Sequence, residues 1–163
     1  MRPPQSLNLE TLLSLASKWR SEGEKIVFTN GVFDILHLGH LHCLESALAL
    51  GTKLVVGINS DSSVRRLGKA PNRPIHSDFN RARILSALSC VDAVTIFDSD
   101  TPIQLITSIS PDVLVKGGDY DPSCIDRDHP TYIVGSTEIR AAGGVVHSVS
   151  LLPGYSTTQI LNK

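Results

Sequence analysis

The sequence predicts an α/β protein built on a Rossmann-like, doubly wound parallel sheet of five strands. Short runs rich in β-branched residues alternate with apolar patterns of helical spacing along most of the chain, the signature of parallel βαβ units. Residues with chemistry in them collect at the expected carboxyl ends of those strands, where open sheets of this kind bind ligands. With 163 residues and 41% hydrophobic content, the chain has enough apolar surface for one core. One domain is expected, with residues 1–23 as a helical extension and 24–163 as the main body.

The elements follow in order. Leu9, Leu12, Leu13, Ala16 and Trp19 recur at helical spacing and predict a first amphipathic helix. Lys25–Thr29 is a β-branched and aromatic run that stops at the turn dipeptide Asn30-Gly31, so it reads as a buried strand. From Gly39 onward Leu41, Leu44, Ala47, Leu48 and Leu50 line one helical face and Glu45 and Ser46 the other, predicting a helix over His40–Leu50. Further strands are expected at Lys53–Asn59, Ala93–Phe97, Val113–Lys116 and Val145–Val149. Helices are expected at Asp78–Ser89, Pro102–Ile109 and Ser136–Ala142, the last stopped by Gly143-Gly144, and a final helix opens at Ser156. Residues 60–77 and 117–134 read as irregular, and loops that long in a compact domain are usually functional or mobile.

Composition narrows the function. A net charge of −1 and a pI near 6.6 argue against a general nucleic-acid or membrane-surface binder, so positive charge must act locally. Cys43, Cys90 and Cys124 are odd in number and lack a CxxC pair, which indicates neither a disulfide framework nor a zinc knuckle. No apolar run approaches the roughly 18 residues needed to span a bilayer, and Met1-Arg-Pro-Pro lacks the apolar segment of a signal peptide. A cytoplasmic protein is expected.

The most informative stretch is His37-Leu-Gly-His40, placed directly after a strand and at the start of a helix. A helix N-terminus presents unsatisfied backbone N–H groups and the positive end of the macrodipole, which together favour an anion. Gly39 leaves room for a ligand to approach, and two imidazoles could donate to phosphoryl oxygens. A structural role and a metal site are the alternatives. The latter wants a third ligand, and His42 points about 200° away from His40 on the helix.

Other strand ends add to this. Asn59-Ser-Asp61 is followed by Arg65, Arg66, Lys69 and Arg73, four cations in nine residues that form either a solvated loop or a flexible clamp on a triphosphate. Arg73 is the strongest of them, because Pro74 restricts its backbone and Arg binds phosphate in bidentate fashion. Arg81 lies on the next helix and is expected to face the site. Val113–Lys116 empties into Gly117-Gly118, where Lys116 sits at the strand end; backbone approach to a base or sugar and a plain glycine turn explain the pair equally. Asp119 could accept from a ribose or base, or cap the next turn. Ser156, Thr157 and Thr158 follow Gly154-Tyr155, and three hydroxyls exceed what an N-cap needs, so a second helix start could hold the β and γ phosphates. A GxxxxGK[ST] loop and a GxGxxG fingerprint are both absent.

Taken together, Thr29-Asn-Gly-Val-Phe-Asp-Ile-Leu-His-Leu-Gly-His40, Val56-Gly-Ile-Asn-Ser-Asp61, Arg73-Pro, Val91-Asp-Ala-Val, Asp100-Thr-Pro, Pro111-Asp-Val-Leu-Val-Lys-Gly-Gly-Asp-Tyr120 and Ser156-Thr-Thr-Gln-Ile160 resemble the HxGH nucleotidyltransferase superfamily. The resemblance lies in its cytidylyltransferase-like branch, covers about residues 24–161 in order, and is similar in detail to the adenylyltransferases that make ADP-heptose. It implies transfer of AMP from ATP to D-glycero-β-D-manno-heptose 1-phosphate, with pyrophosphate released, for the inner core of lipopolysaccharide. It makes residues 24–163 a catalytic core. No kinase segment precedes the match, which implies a stand-alone transferase fed by a separate kinase, and relatives imply a homo-oligomer. Onto this chain the resemblance carries His37, His40 and Lys116 as catalytic residues. It carries nucleotide binding onto Thr29, Asn30, Gly31, Val32, Phe33, Gly39, Asn59, Asp61, Arg73, Gly118, Asp119, Ser156, Thr157 and Thr158. Arg65, Arg66, Lys69 and Arg81 are candidates for the substrate phosphate. Mg²⁺ is implied with ATP, held chiefly by phosphates and water, with no side-chain ligand assigned; Asp34 is an outer-sphere partner or a loop anchor.

Two departures from the pattern stand out. Sister cytidylyltransferases carry Arg-Thr-Glu-Gly-Ile before the Ser-Thr-Thr, where this chain has Leu152-Pro-Gly-Tyr155, which favours the heptose branch. The segment Asp121–Ile133 is longer than in heptose enzymes, and its Asp126, Arg127, Asp128 and His129 are read as facing solvent before any sugar, metal or subunit. The competing functions are a cytidylyltransferase acting on glycerol 3-phosphate or a similar alcohol phosphate, and a catalytically silent nucleotide-binding module. The presence of both histidines, Lys116 and the hydroxyl run speaks against the latter.

Overall fold

Five runs of mostly apolar, β-branched residues form the strands of a single sheet: β1 (Ile26–Gly31), β2 (Lys53–Asn59), β3 (Ala93–Phe97), β4 (Val113–Gly117) and β5 (Val145–Val149). In the computed structural model, which describes residues 6–68, 72–155, 157 and 160, they lie in the order β3-β2-β1-β4-β5. Every pairing is parallel. Among the described residues six helices accompany them: α1 (Leu9–Ser21), α2 (Leu38–Leu48), α3 (Asp61–Arg66), α4 (Asp78–Leu85), α5 (Ile103–Ile109) and α6 (Ser136–Ala141). No described helix is long and apolar enough to cross a membrane.

The helices bury both faces of the sheet, which is why Ile26, Val27 and Phe28 are all fully buried despite pointing alternately up and down. On one face Ile26, Phe28, Val55 and Leu114 meet Leu12 and Ala16 of α1, Leu105, Ile106 and Ile109 of α5, and Ile139 of α6. On the other, Val27, Leu54, Val56, Ile58 and Val113 meet Leu44 and Ala47 of α2 and Ala82 and Leu85 of α4. Two aspartates set the register. The Asp112 carboxylate accepts from the Ile26 N–H at 2.7 Å and the Asp92 carboxylate from the Leu54 N–H at 2.8 Å, each fixing the start of the neighbouring strand. At the β3 edge the Leu7 N–H donates to the Val94 carbonyl at 2.7 Å, so the segment before α1 covers what would be an open strand.

The chain winds outward from β1 through β2 to β3, then returns across the sheet to β4 and β5. The order therefore reverses between β1 and β4, and a crevice opens at their carboxyl ends. Several boundaries differ from expectation. β1 runs two residues past Thr29 because Asn30 and Gly31 still find partners in Gly57 and Ile58 of the longer β2. α2 opens at Leu38, two residues early, with His37 in the capping position. α4 stops at Leu85, short of Ser89, and the chain closes in tight turns that half-bury Leu88 against the core. α3 lies inside the stretch read as irregular; its cap is legible, since Ser60 accepts from the Ser63 N–H, but in six residues only Val64 is a buried apolar side chain. One apolar residue makes no periodicity. The helix expected at Ser156 falls largely outside the described residues.

Candidate active site

The floor of the crevice is the end of β1 and the loop into α2. Phe33 sits there with φ of 49°, a left-handed conformation costing a non-glycine residue about 1 kcal/mol, and its ring packs on His40 at 5.1 Å between centroids. Asp34 follows, fully buried. Its carboxylate accepts from the Ile75 N–H at 2.8 Å, the His76 N–H at 3.0 Å and Arg73 Nε at 3.1 Å. Burial alone would raise its pKa, but those two N–H groups and the guanidinium outweigh it and hold the carboxyl below its usual value. The sequence left Asp34 between two roles; its geometry is that of an anchor binding the loop before α4 to the loop before α2.

His37 caps α2 without any side-chain capping bond, leaving its ring available. That ring stacks on His40 at 3.8 Å with an interplanar angle of 22°. Burial and the neighbouring His37 push the His40 pKa down to about 4, against a weaker pull from the Ile35 backbone, and burial lowers that of His37 as well. Both rings are thus neutral at pH 7 and each carries one N–H donor. The Nδ1 atoms of both are buried, with no hydrogen-bond partner among the described residues.

Gly39 is placed differently from its sequence reading. A Cβ there would lie 3.0 Å from His37 Cε1, 3.1 Å from His37 Nδ1 and 3.2 Å from Tyr155 Cβ, so the glycine makes room for the histidine ring and the far wall. Gly39→Ala is expected to push the His37 ring by a few tenths of an ångström and to lower kcat, by less than the roughly 10²-fold of a full ångström misplacement, with an unchanged far-UV circular dichroism spectrum. Wild-type turnover in that variant would contradict the packing role.

From β4, Lys116 reaches over the crevice, its Nζ donating to the Asn30 carbonyl at 3.2 Å and to Asn30 Oδ1 at 3.3 Å, and lying 5.5 Å above the Tyr120 ring. Cys43 of α2 packs where a Cβ on Gly117 would stand, 2.7 Å from its Sγ. Burial raises its thiol pKa against the opposing charge of Lys116, which makes it a packing group at neutral pH. Together these elements enclose a cavity of about 570 Å³. It brings together Thr29, Asn30, Gly31, Val32, Phe33, His37, Gly39, His40, Arg73, Lys116 and Thr157 of the residues singled out from sequence.

A family model described as Cytidylyltransferase-like matches residues 28–163. The chain belongs to the cytidylyltransferase-like family. Over 156 residues it is 47% identical to the bifunctional protein HldE of Methylobacillus flagellatus, a match covering 96% of this chain and 30% of the relative. Over 152 residues it is 49% identical to the bifunctional protein HldE of Koribacter versatilis, covering 93% and 29%. This cytidylyltransferase-like chain therefore spans about 30% of the length of the curated relatives it matches. A crystal structure of the lipopolysaccharide core biosynthesis protein from Thermoplasma volcanium is similar at a TM-score of 0.60 and 30% identity, over 80% of this chain and 98% of that one.

Not every predicted residue reaches the cavity of this cytidylyltransferase-like fold. Arg81 does not line it: the side chain is fully buried, donating to the Val32 carbonyl at 2.7 Å, the His76 carbonyl at 3.0 Å and Asp61 at 2.8 Å. It braces the cavity floor from behind, and Asp61 is its partner. Asn59 is buried and donates to Ser63 Oγ at 3.0 Å. Arg66 is turned toward the outer edge of the sheet, past the carboxyl end of β3, 2.7 Å from Asp100 and bonded to the Asp98 carbonyl. Arg65 is exposed on α3, and Gly118 and Asp119 are passed over by the lining, which takes Lys116, Gly117 and Tyr120 from this stretch. Lys69, Ser156 and Thr158 lie outside the described residues. Sequence reasoning missed Cys43 and Leu151 as lining residues, while Gly117, Tyr120 and Tyr155 line it within the strand-end motifs already singled out. Tyr120 closes the Lys-Gly-Gly-Asp-Tyr motif; nothing local signals that Leu151 reaches the cavity.

Proposed function

We propose that this chain transfers AMP from ATP to D-glycero-β-D-manno-heptose 1-phosphate in the cytoplasm, releasing pyrophosphate. The observation that carries the reading is the stacked, neutral His37–His40 pair at the start of α2, lining a cavity that also holds Arg73 and Lys116. Such a set suits a polyphosphate. The ordered resemblance to heptose adenylyltransferases, together with relatives named HldE and a lipopolysaccharide core biosynthesis protein, supports the choice of acceptor.

In this reading an oxygen of the sugar phosphate attacks the α phosphorus in line, and the bond to the bridging oxygen of pyrophosphate breaks on the opposite side. No protein nucleophile takes part. Reactions of this type depend on positioning and on donors aimed at the oxygens where charge grows. The histidines donate N–H groups to the α-phosphoryl oxygens, the α2 N-terminus adds its dipole, and Arg73 and Lys116 balance the phosphate charge. Asp34 is the one carboxylate among the described lining residues, and its oxygens are occupied by Ile75, His76 and Arg73. The chain's own donors therefore do not fit a protein-held divalent ion, and Mg²⁺ accompanying ATP would take its ligands from phosphates and water.

The test is a pyrophosphate-release panel of ATP against CTP, each with heptose 1-phosphate, glycerol 3-phosphate or no acceptor. Release only with ATP and heptose 1-phosphate is expected. Release with CTP and glycerol 3-phosphate would replace the proposal with an alcohol-phosphate cytidylyltransferase, and nucleotide binding without release would leave a silent binding module.

A further inference from the structure

A second cavity of about 200 Å³ opens off the first, between the start of α5 and the residues preceding α6. The two share Asn30, Lys116 and Tyr120, so Lys116 stands at their junction. The remaining wall is apolar and stiff, with Pro102 and Tyr132 buried and Val134 half-buried.

Its size and lining restrict what can enter. About 200 Å³ falls below the roughly 300–1,000 Å³ of ordinary ligand pockets, too little for a nucleotide and suited to one sugar ring. Its polar groups gather at the junction, where Lys116 Nζ is held on Asn30, while proline and aromatic surfaces face the far end. An occupant must therefore carry an anion at one end and an apolar ring face at the other, as a sugar 1-phosphate does. With that phosphate on Lys116, the acceptor meets the larger cavity at the junction formed by Asn30, Lys116 and Tyr120. The nucleotide then keeps the space beside Gly39, Leu151 and Tyr155.

The wall also explains the segment Asp121–Ile133, of which the sequence assigned Asp126, Arg127, Asp128 and His129 to solvent. Its tip, Asp126 to His129, is exposed, but its return limb buries Tyr132 and Ile133. The Asp121 N–H closes the excursion on the Thr131 carbonyl at 3.0 Å, the Tyr132 and Thr137 hydroxyls meet at 3.1 Å, and Arg127 pairs with Glu138 at 2.7 Å. Those contacts give the chamber a fixed outer side.

We infer that this side chamber holds the sugar ring of the acceptor, with its phosphate on Lys116, and that Val134 limits how large a sugar the enzyme accepts. The inference rests on the sugar-phosphate reading above, and two measurements separate them. Val134→Phe narrows the chamber and is expected to raise KM for heptose 1-phosphate by roughly tenfold or more with KM for ATP within twofold. Val134→Ala, which loses little packing, should shift the ratio of kcat/KM for heptose 1-phosphate over mannose 1-phosphate in the opposite direction from Val134→Phe. A rise in KM for ATP with the acceptor unaffected would hand the chamber to the base and overturn the inference, as would no change in either constant. Calorimetric binding of heptose 1-phosphate without nucleotide gives the independent readout. If wild type binds the sugar but releases no pyrophosphate, and Val134→Phe abolishes binding, the chamber stands and the transferase reading falls. Equal binding by both proteins refutes the chamber.

Discussion

His40→Ala is expected to lower kcat by roughly 10²-fold or more, the scale of losing one transition-state donor from a preorganised site, while leaving the fold intact. The reason is geometric. His40 is wedged between the Phe33 ring and His37, so its N–H is held in place before substrate arrives. The same substitution has a signature in stability. The His40 pKa drops from 6.5 unfolded to about 4 folded, so between those values the unfolded chain binds more protons and native stability falls as pH is lowered. Alanine removes this penalty. Thermal melts should therefore show the variant gaining on wild type between pH 7.5 and pH 4.5, whatever its offset at neutral pH. Near-wild-type turnover, or a stability difference independent of pH, would contradict the assignment.

The second large effect is on stability. Asp34→Ala should cost about 3–5 kcal/mol, the usual result of removing one partner from a buried, hydrogen-bonded ion pair, as read from urea unfolding. It strips the acceptor from two backbone N–H groups and from Arg73 at once. Because the folded carboxyl titrates below its ordinary 3.8, its contribution is present above that pH and lost as pH falls further, so the variant and wild type should converge in strong acid. Arg73, freed from its anchor, should also bind phosphate less productively and raise KM for ATP. A loss under 1 kcal/mol would show that the two loops are held by something else.

Much of this was legible beforehand because its causes are local. The strands at Lys53–Asn59, Ala93–Phe97 and Val145–Val149 were readable from β-branched runs bounded by turn residues, and they form with those bounds. His37-Leu-Gly-His40 could be placed at a strand-to-helix junction by periodicity alone. Gly39 shows the limit: its importance was readable, but the reason was not, since what fills the space is the ring of a residue two positions earlier and a tyrosine over a hundred residues later.

The sequence by itself determined the parallel α/β architecture, the phosphate-suited helix start and the family resemblance, all of which depend on patterns within a dozen residues of one another. Only the tertiary structure decided which cations serve the cavity. Pro74 marks out Arg73 along the chain, but nothing local turns Arg66 and Arg81 away from the cavity, and each of the three is fixed by an acid far from it: Arg66 by Asp100 at a separation of 34, Arg73 by Asp34 at 39 and Arg81 by Asp61 at 20. A guanidinium follows the carboxylate that the fold brings beside it, and of the three only Asp34 stands at the crevice where β1 and β4 part.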